Sequence, residues 1–396
     1  MNRHGFGMGQ SFVRTALVAA ALTGAIPAAV QAAPFFTGLG DLPGGSFLST
    51  MSGFDHSVSA DGQTVVGRSQ SAAGTEAFVW TQAGGMIGLG NAGSIAQSAS
   101  ADGSVVVGQA FTSNGNEAFR WTQSGVLVGI GDLSGGIFNS SAYSVSADGS
   151  TIVGQSTSAN GAEAFVWTQA GGMVGIGDLA GGAFTSRAQA VSADGSVVAG
   201  FGRSAAGFEA FRWTQADGMV SLGDLAGGSF LSRAYGISND GTTIVGQSSS
   251  AGGNEAFIWT AAGGMVGLGD LPGGAAFNSI AYSASADGSV VVGRGTTLDG
   301  SEAFLWDAVN GMRLLSDVLT GDYGLDLTGW TLSEAHGVSD DGLVIAGFGI
   351  NPFGNTEAFV VNLRGAAVSE VPEPPVFALF ALAFVAVGVL RRRRTA

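Results

Sequence analysis

The phrase Ser-X-Asp-Gly occurs seven times in this chain, with its aspartates at Asp61, Asp102, Asp148, Asp194, Asp240, Asp287 and Asp341. The intervals between them are 41, 46, 46, 46, 47 and 54 residues. Six residues after each aspartate stands a glycine: Gly67, Gly108, Gly154, Gly200, Gly246, Gly293 and Gly347. Glu-Ala-Phe follows fifteen residues after the first six aspartates and sixteen after the last, at Glu76, Glu117, Glu163, Glu209, Glu255, Glu302 and Glu357. A repeat this regular means that each unit is one supersecondary element that buries its apolar faces against its neighbours.

Within a unit, AQAVS and SVVAG flank Asp194-Gly195, a hairpin signal of the type I′ kind. EAFRWT and MVSLGDL supply a third and a fourth run around the turn Ala216-Asp217-Gly218. Four short strands in about 46 residues is the content of one β-propeller blade. In this reading the aspartates cap turns, and the glycine after each second strand provides a positive φ. Phe and Trp (Trp80, Trp121, Trp167, Trp213, Trp259 and Trp306) fill the space between blades. Each Glu bonds backbone amides of a neighbouring blade.

The ends of the array favour a ring over an open stack. The fourth-strand phrase first appears as Gly38-Leu39-Gly40-Asp41-Leu42, ahead of any Ser-X-Asp-Gly, while Glu357-Ala358-Phe359-Val360-Val361 has no fourth strand after it. Counting Leu314-Leu315-Ser316-Asp317-Val318-Leu319 as a degenerate copy gives seven of each element. The expected fold is therefore an all-β, seven-bladed β-propeller of four-stranded repeats, closed by the N-terminal strand, with a β-solenoid as the alternative.

Composition narrows the chemistry. Gly makes up 68 of 396 residues, without the three-residue period of collagen, and charged residues are only 11%. Cysteine is absent, which removes disulfides, thiolate metal sites and a cysteine nucleophile. Every basic residue is Arg; setting aside Arg3, Arg14 and Arg391 to Arg394 leaves nine arginines against the 28 acids before Glu370, a net of 19 negative charges. Such a surface repels phosphate backbones, so nucleic acid is excluded as a partner.

The runs EAFVWTQAGGMVGIGDLAGG and the Asp-Gly-hydrophobic-Val-Gly segments, from about Phe35 to Leu363, resemble the HAF family of probable extracellular repeats in exported bacterial proteins. All seven copies carry Glu where that family typically has His, so no role of a histidine ring carries over. The resemblance implies an extracellular setting and no defined activity.

No stretch matches an EF-hand loop, a P-loop or a Rossmann opening, and no cofactor is expected. The Gly-Asp-Leu-X-Gly-Gly phrases recur too far apart to wrap calcium, and the turns lack the spacing of a sialidase Asp-box. His56 and His336 occupy one register, five residues before their aspartates, in the first and last units; with Asp55 they are weak candidates for a metal or catalytic pair. Tyr143, Tyr235 and Tyr282 fill that register elsewhere, which makes a large packing side chain the plainer reading. A ligand site is expected where repeats differ: Thr50 to His56, Asn91 to Ala96, Leu298 to Gly300, Gly321 to Glu334 with Trp330, or Asn351 to Phe353. Exopolysaccharide and cations are the candidate ligands. The expected role is a non-enzymatic binding or structural module, with a propeller glycan hydrolase or lyase as the alternative.

Both termini carry addresses. Arg3 and Arg14 precede the apolar stretch Thr15 to Val30, and Val30-Gln31-Ala32 suits signal peptidase, giving a signal peptide over residues 1–32 cut after Ala32. The repeat domain covers 33–365. Over 366–396, Val371-Pro372-Glu373-Pro374 precedes a 15-residue apolar run, roughly 22 Å as a helix, and then Arg391, Arg392, Arg393 and Arg394. The arginines hold the end of the chain on the cytoplasmic side. Motif, transmembrane helix and basic tail in this order resemble a PEP-CTERM sorting signal. The resemblance implies that an exosortase, an integral-membrane enzyme of Gram-negative exopolysaccharide producers, recognises the tail and removes it. The expected course is export, transient inner-membrane anchoring and delivery to the cell surface or extracellular matrix; a permanent anchor is the alternative.

Overall fold

The computed structural model describes residues 33–51, 57–274 and 277–365. Each Ser-X-Asp-Gly is a turn locked by its own side chains. In the third unit Ser146 Oγ donates to Asp148 Oδ1 (2.7 Å) and accepts from Thr151 N (3.0 Å), while Asp148 Oδ1 also accepts from Ser150 N (2.9 Å). These hydrogen bonds hold the Asp102 and Asp148 carboxyls below their ordinary range, led by the backbone amides of Ser104 and Ser150. Gly149 N donates to Ser146 O at 2.9 Å, with Gly149 at φ +71°. The turn bond thus spans Ser to Gly and leaves the X residue and Asp in the middle. A type I′ turn would centre on Asp-Gly, so that expectation is corrected: one left-handed glycine closes a bulged turn.

The unit then runs through Gly135–Val145, Thr151–Ser158, Gly161–Thr168 and Gly172–Gly175, each antiparallel to the one before. Pairing steps from Ala142↔Gly154 to Ser144↔Val153, so Tyr143 is an extra, bulged residue. At the bulge the first strand presses on the second. A Cβ on Gly154 would strike the Ser141 carbonyl oxygen and lie 2.8 Å from the Phe165 ring. Close approach, and not a positive φ, is what requires the glycine six residues after each aspartate.

The apolar core is divided among the seams between units. Val105, Val107 and Ala118 of the second unit meet Ala142, Val145, Ile152 and Phe165 of the third. Equivalent clusters join each successive pair, including the last unit (Val344, Ala346, Ala358, Val360) with the first (Met51, Val58, Val65, Phe78). The seven Glu-Ala-Phe phenylalanines are fully buried in these seams. A serine pins most of them: Ser140 Oγ accepts from Ala118 N (2.9 Å) and donates to Gly131 O (2.6 Å), both in the preceding unit. Ser186, Ser232 and Ser279 repeat the arrangement.

The two ends of the repeat array meet. Phe35–Gly38 pairs antiparallel with Thr356–Asn362, from Phe35↔Asn362 to Gly38↔Phe359, as the fourth strand of the last unit. Gly40 N donates to Glu357 Oε1 (2.8 Å), and Ser49 Oγ accepts from Ala358 N (3.0 Å) and donates to Gly40 O (2.6 Å). Trp330, from the insertion, packs edge-on to Phe36 at 5.1 Å. The degenerate fourth strand is shorter than expected: Gly311–Leu314 is extended, but Leu315–Asp317 forms a helical turn. That winding places Leu315 and Leu319 on one face, where both are fully buried in the seam with the last unit.

At the turn end of the central axis the X residues bond tip to tip. Ala101 N donates to Ala147 O, Ala147 N to Ala193 O, Ala193 N to Asn239 O, Ala286 N to Asp340 O and Asp340 N to Ala60 O, at 3.0 to 3.2 Å. Asn239 Nδ2 reaches Asp340 Oδ1 at 2.6 Å. Only about 10 Å³ of cavity remains among Ala60, Ala101, Ala147 and Asn239, no more than a water would fill.

Replacing Gly154 by Ala is expected to cost about 2 to 3 kcal/mol in urea unfolding, since both obstructing groups are held by the sheet. Gly172→Ala, at φ +66° with open space around it, should lose nearer 1 kcal/mol. A smaller loss at Gly154 than at Gly172 would contradict this account of the bulge.

Candidate functional site at the axial end away from the turns

The first strands of successive units touch one another and so line the axis. Their backbones come close: a Cβ on Gly236 would lie 2.5 Å from Tyr282 O, and one on Gly337 would lie 3.1 Å from Val58 N. The bulged residues, five before each aspartate, form one layer: Gln97, Tyr143, Gln189, Tyr235, Tyr282 and His336. All but Tyr143 are buried. Two residues earlier on the same strands stand Ser141, Arg187, Arg233, Ile280 and Glu334. Beside them the second strands place Arg68, Gln155, Phe201, Gln247, Arg294 and Phe348, seven residues after each aspartate. These positions lie towards the end of the axis away from the bonded turns.

Two arrangements occupy this end. In the sixth and seventh units His336 Nε2 is 2.8 Å from Glu334 Oε2, and its ring stacks on Tyr282 at 4.5 Å. Arg294 Nη1 lies 3.7 Å from Glu334 Oε1. Burial pushes the Glu334 carboxyl up, but the His336 hydrogen bond and charge, Arg294 and a Tyr282 hydrogen bond together bring it below its ordinary value of 4.5. Burial and the Glu334 charge push the Tyr282 phenol up.

The second arrangement spans the third to fifth units. The Arg187 guanidinium lies over the Tyr143 ring at 4.9 Å and the Phe201 ring at 5.6 Å. Arg233 lies 5.3 Å from both the Phe201 and Phe208 rings. Phe201 therefore takes a cation from its own unit and another from the next. Arg187 Nη2 donates to Gln155 Oε1 at 3.2 Å. Among the described residues no carboxylate lies within 4.0 Å of either guanidinium, and Nε of both is buried without a partner. One layer in, Gln189 is 1% exposed with neither amide atom bonded, and Gln97 Oε1 is likewise unpaired.

Of the residues expected to matter, His336 falls in this site. His56 and Asp55 lie outside the described residues, as do Ala32, Val371 to Pro374 and Arg391 to Arg394. Among the described residues no group of three or more His, Asp or Glu is placed to hold a metal, and no helix is long and apolar enough to cross a membrane. The insertion with Trp330 serves the closing seam, and Asn351 bonds Glu357 Oε2 (2.7 Å). The repeated glutamates act within their own units and not on a neighbour: Glu163 accepts from Gly177 N (3.1 Å) and Glu255 from Gly269 N (2.9 Å). What the repeat pattern left unread is the pair of registers carrying Arg187, Arg233 and Phe201. Their signal was Arg appearing on two neighbouring first strands where other units have Phe, Ser, Ile or Glu.

The ring of four-stranded units finds counterparts among solved structures. An oligogalacturonate lyase from Vibrio parahaemolyticus aligns over 84% of this chain and 97% of its own, at 11% identity and a TM-score of 0.51. The β-propeller domain of the Trilobed protease from Pyrococcus furiosus aligns over 75% and 90%, at 10% identity and 0.45. TolB from Acinetobacter baumannii aligns over 77% and 82%, at 12% and 0.42. The chain is a β-propeller protein, and at these identities the likeness is one of fold alone. No family model and no curated protein matches it.

Because Glu334 is held below 4.5, the stability it contributes is complete above that pH and is lost as pH falls through its lower folded value. The unfolding free energy of the native chain should exceed that of Glu334→Gln at neutral pH, and the gap should close as pH drops below 4.5. A gap that stays constant down to pH 3 would show that the charge of Glu334 is not what stabilises this end.

Proposed function

We propose that this protein is an exported bacterial surface or extracellular-matrix protein: a seven-bladed β-propeller, closed by its N-terminal strand, that serves as a binding module. The observation that carries the reading is a frame repeated seven times around one axial end where the units differ, so that the frame supports and the end recognises. Signal peptidase removes residues 1–32 after Ala32, and an exosortase-type enzyme acts at Val371-Pro372-Glu373-Pro374 while the apolar run holds the chain in the inner membrane. The order of motif, apolar run and Arg391 to Arg394 supports the processing step. Exopolysaccharide is the ligand that this setting and an aromatic-lined end suit. Mass spectrometry of the protein recovered from its host should find an N-terminus at Ala33 and a C-terminus lacking Arg391 to Arg394. A chain intact through Ala396 would refute exosortase processing.

A second reading, a propeller glycan lyase or hydrolase, is favoured by the Glu334–His336–Tyr282 group beside Arg294, which sets candidate proton carriers next to a cation. It predicts depolymerisation of an acidic glycan by the purified chain and loss of at least about a hundredfold in rate in His336→Gln. Binding without product release by the native protein would leave the binding module as the function.

A further inference from the structure

We propose that the axial end away from the bonded turns binds a carboxylate-bearing saccharide, with Arg187 and Arg233 holding the carboxylate; the inference rests on the extracellular binding role proposed above and names its ligand class. Nine arginines belong to the acidic middle of the chain, and four of them stand at this end, Arg187 and Arg233 on first strands and Arg68 and Arg294 on second strands. Arg294 is matched by Glu334, and Arg68 Nε is taken up by Thr50 Oγ1 at 3.1 Å. Arg187 and Arg233 are half-buried on aromatic rings with no carboxylate near them among the described residues. Drawing a guanidinium partly out of water without a counter-ion is costly, and a chain with this excess of acids had many opportunities to supply one. A planar carboxylate from outside fits the forked donors that Phe201 holds in place.

The layer beneath points to a sugar over a bare ion. Both amide atoms of Gln189, two residues along the first strand from Arg187, are buried and unbonded, and Gln97 Oε1 at the same register of the second unit is buried and unbonded too. Together they offer donor and acceptor capacity that hydroxyl groups can use and that an isolated anion cannot. The opposite end of the axis is closed by the bonded turns, so a ligand enters from this end.

The test is calorimetric titration of the full mature chain with three probes: a uronic-acid oligosaccharide, neutral maltohexaose and sodium sulfate. The uronate should bind and the other two should not. Arg187→Gln and Arg233→Gln should each weaken uronate binding by at least about tenfold. Arg120→Gln, at the perimeter cleft with Trp167, should leave it unchanged. Thermal unfolding of each variant, with Arg187→Lys and Arg233→Lys as charge-preserving companions, separates loss of the site from loss of the fold. Equal binding of maltohexaose, sulfate binding as tight as uronate, full-strength binding by folded Gln variants, or no binding of any probe would each overturn the proposal. None of these results bears on the termini found by mass spectrometry, so the ligand and the export reading fail separately.

Discussion

The structure depends on seams that no unit can complete alone. A four-stranded unit of about 46 residues has two apolar faces and too little chain to cover either one. Away from the leucine-rich seam of the last two units, the seams are built mainly of Ala, Val and one buried Phe against the neighbouring first strand, so the units approach closely enough for a serine hydroxyl to bond backbone groups across the gap. Such an array leaves two bare faces unless its ends meet. The pairing of Phe35–Gly38 with Thr356–Asn362, and the shared cluster of Met51, Val58 and Phe78 with Val344, Ala346 and Val360, remove those faces together. Closure therefore adds the burial of a whole seam, not merely four residues of ladder.

The seams also decide which positions can vary. Where the second strand carries Ser156 or Ser248, the hydroxyl accepts from Leu133 N or Leu225 N of the preceding unit. Where glycine stands instead, at Gly202 and Gly295, the Asp178 and Asp270 carboxylates fill the vacated space and accept from Leu179 N and Leu271 N at 2.8 Å. The same amide is satisfied by either device, because an unpaired buried N–H is what the seam cannot tolerate. Bulged first-strand residues face the axis and carry no such duty. Chemical variety accumulates there because the frame does not constrain it.

Much of this was legible in the sequence. The seven-fold spacing, the displaced fourth-strand phrase at Gly38 to Leu42 and the missing one after Val361 imply a closed ring, and the pairing of Phe35–Gly38 is its physical form. Glycine was harder to read, since a positive φ and a close approach leave the same letter; Gly149 needs the first and Gly154 the second. The turn type failed for a similar reason: Asp-Gly signals a tight turn, but the serine two residues before the aspartate moves the turn bond back by one position. At the site, the register of His336 could be read from its offset to Asp341. The arginine and Phe201 registers could not, because a strand alternates faces and the bulge at Tyr143 shifts which face each residue takes.

The charge distribution follows from the same division of labour. The turn aspartates accept from backbone amides, and the Glu-Ala-Phe glutamates accept from backbone amides or, at Glu209 and Glu302, from Ser and Thr hydroxyls, so their charge recurs with the frame in every unit. An acidic shell of this kind repels anions at long range, but over separations beyond about 8 to 10 Å salt screens that repulsion. At the axis the balance inverts locally, because the half-buried rings of Tyr143, Phe201 and Phe208 hold guanidiniums partly out of water, where they are screened less than on the outer surface. An anion that reaches this end meets the short-range field of Arg187 and Arg233 more strongly than the diffuse field of the shell. In the proposed binding role, the acidic surface sets a threshold for approach and the axial end sets what is retained.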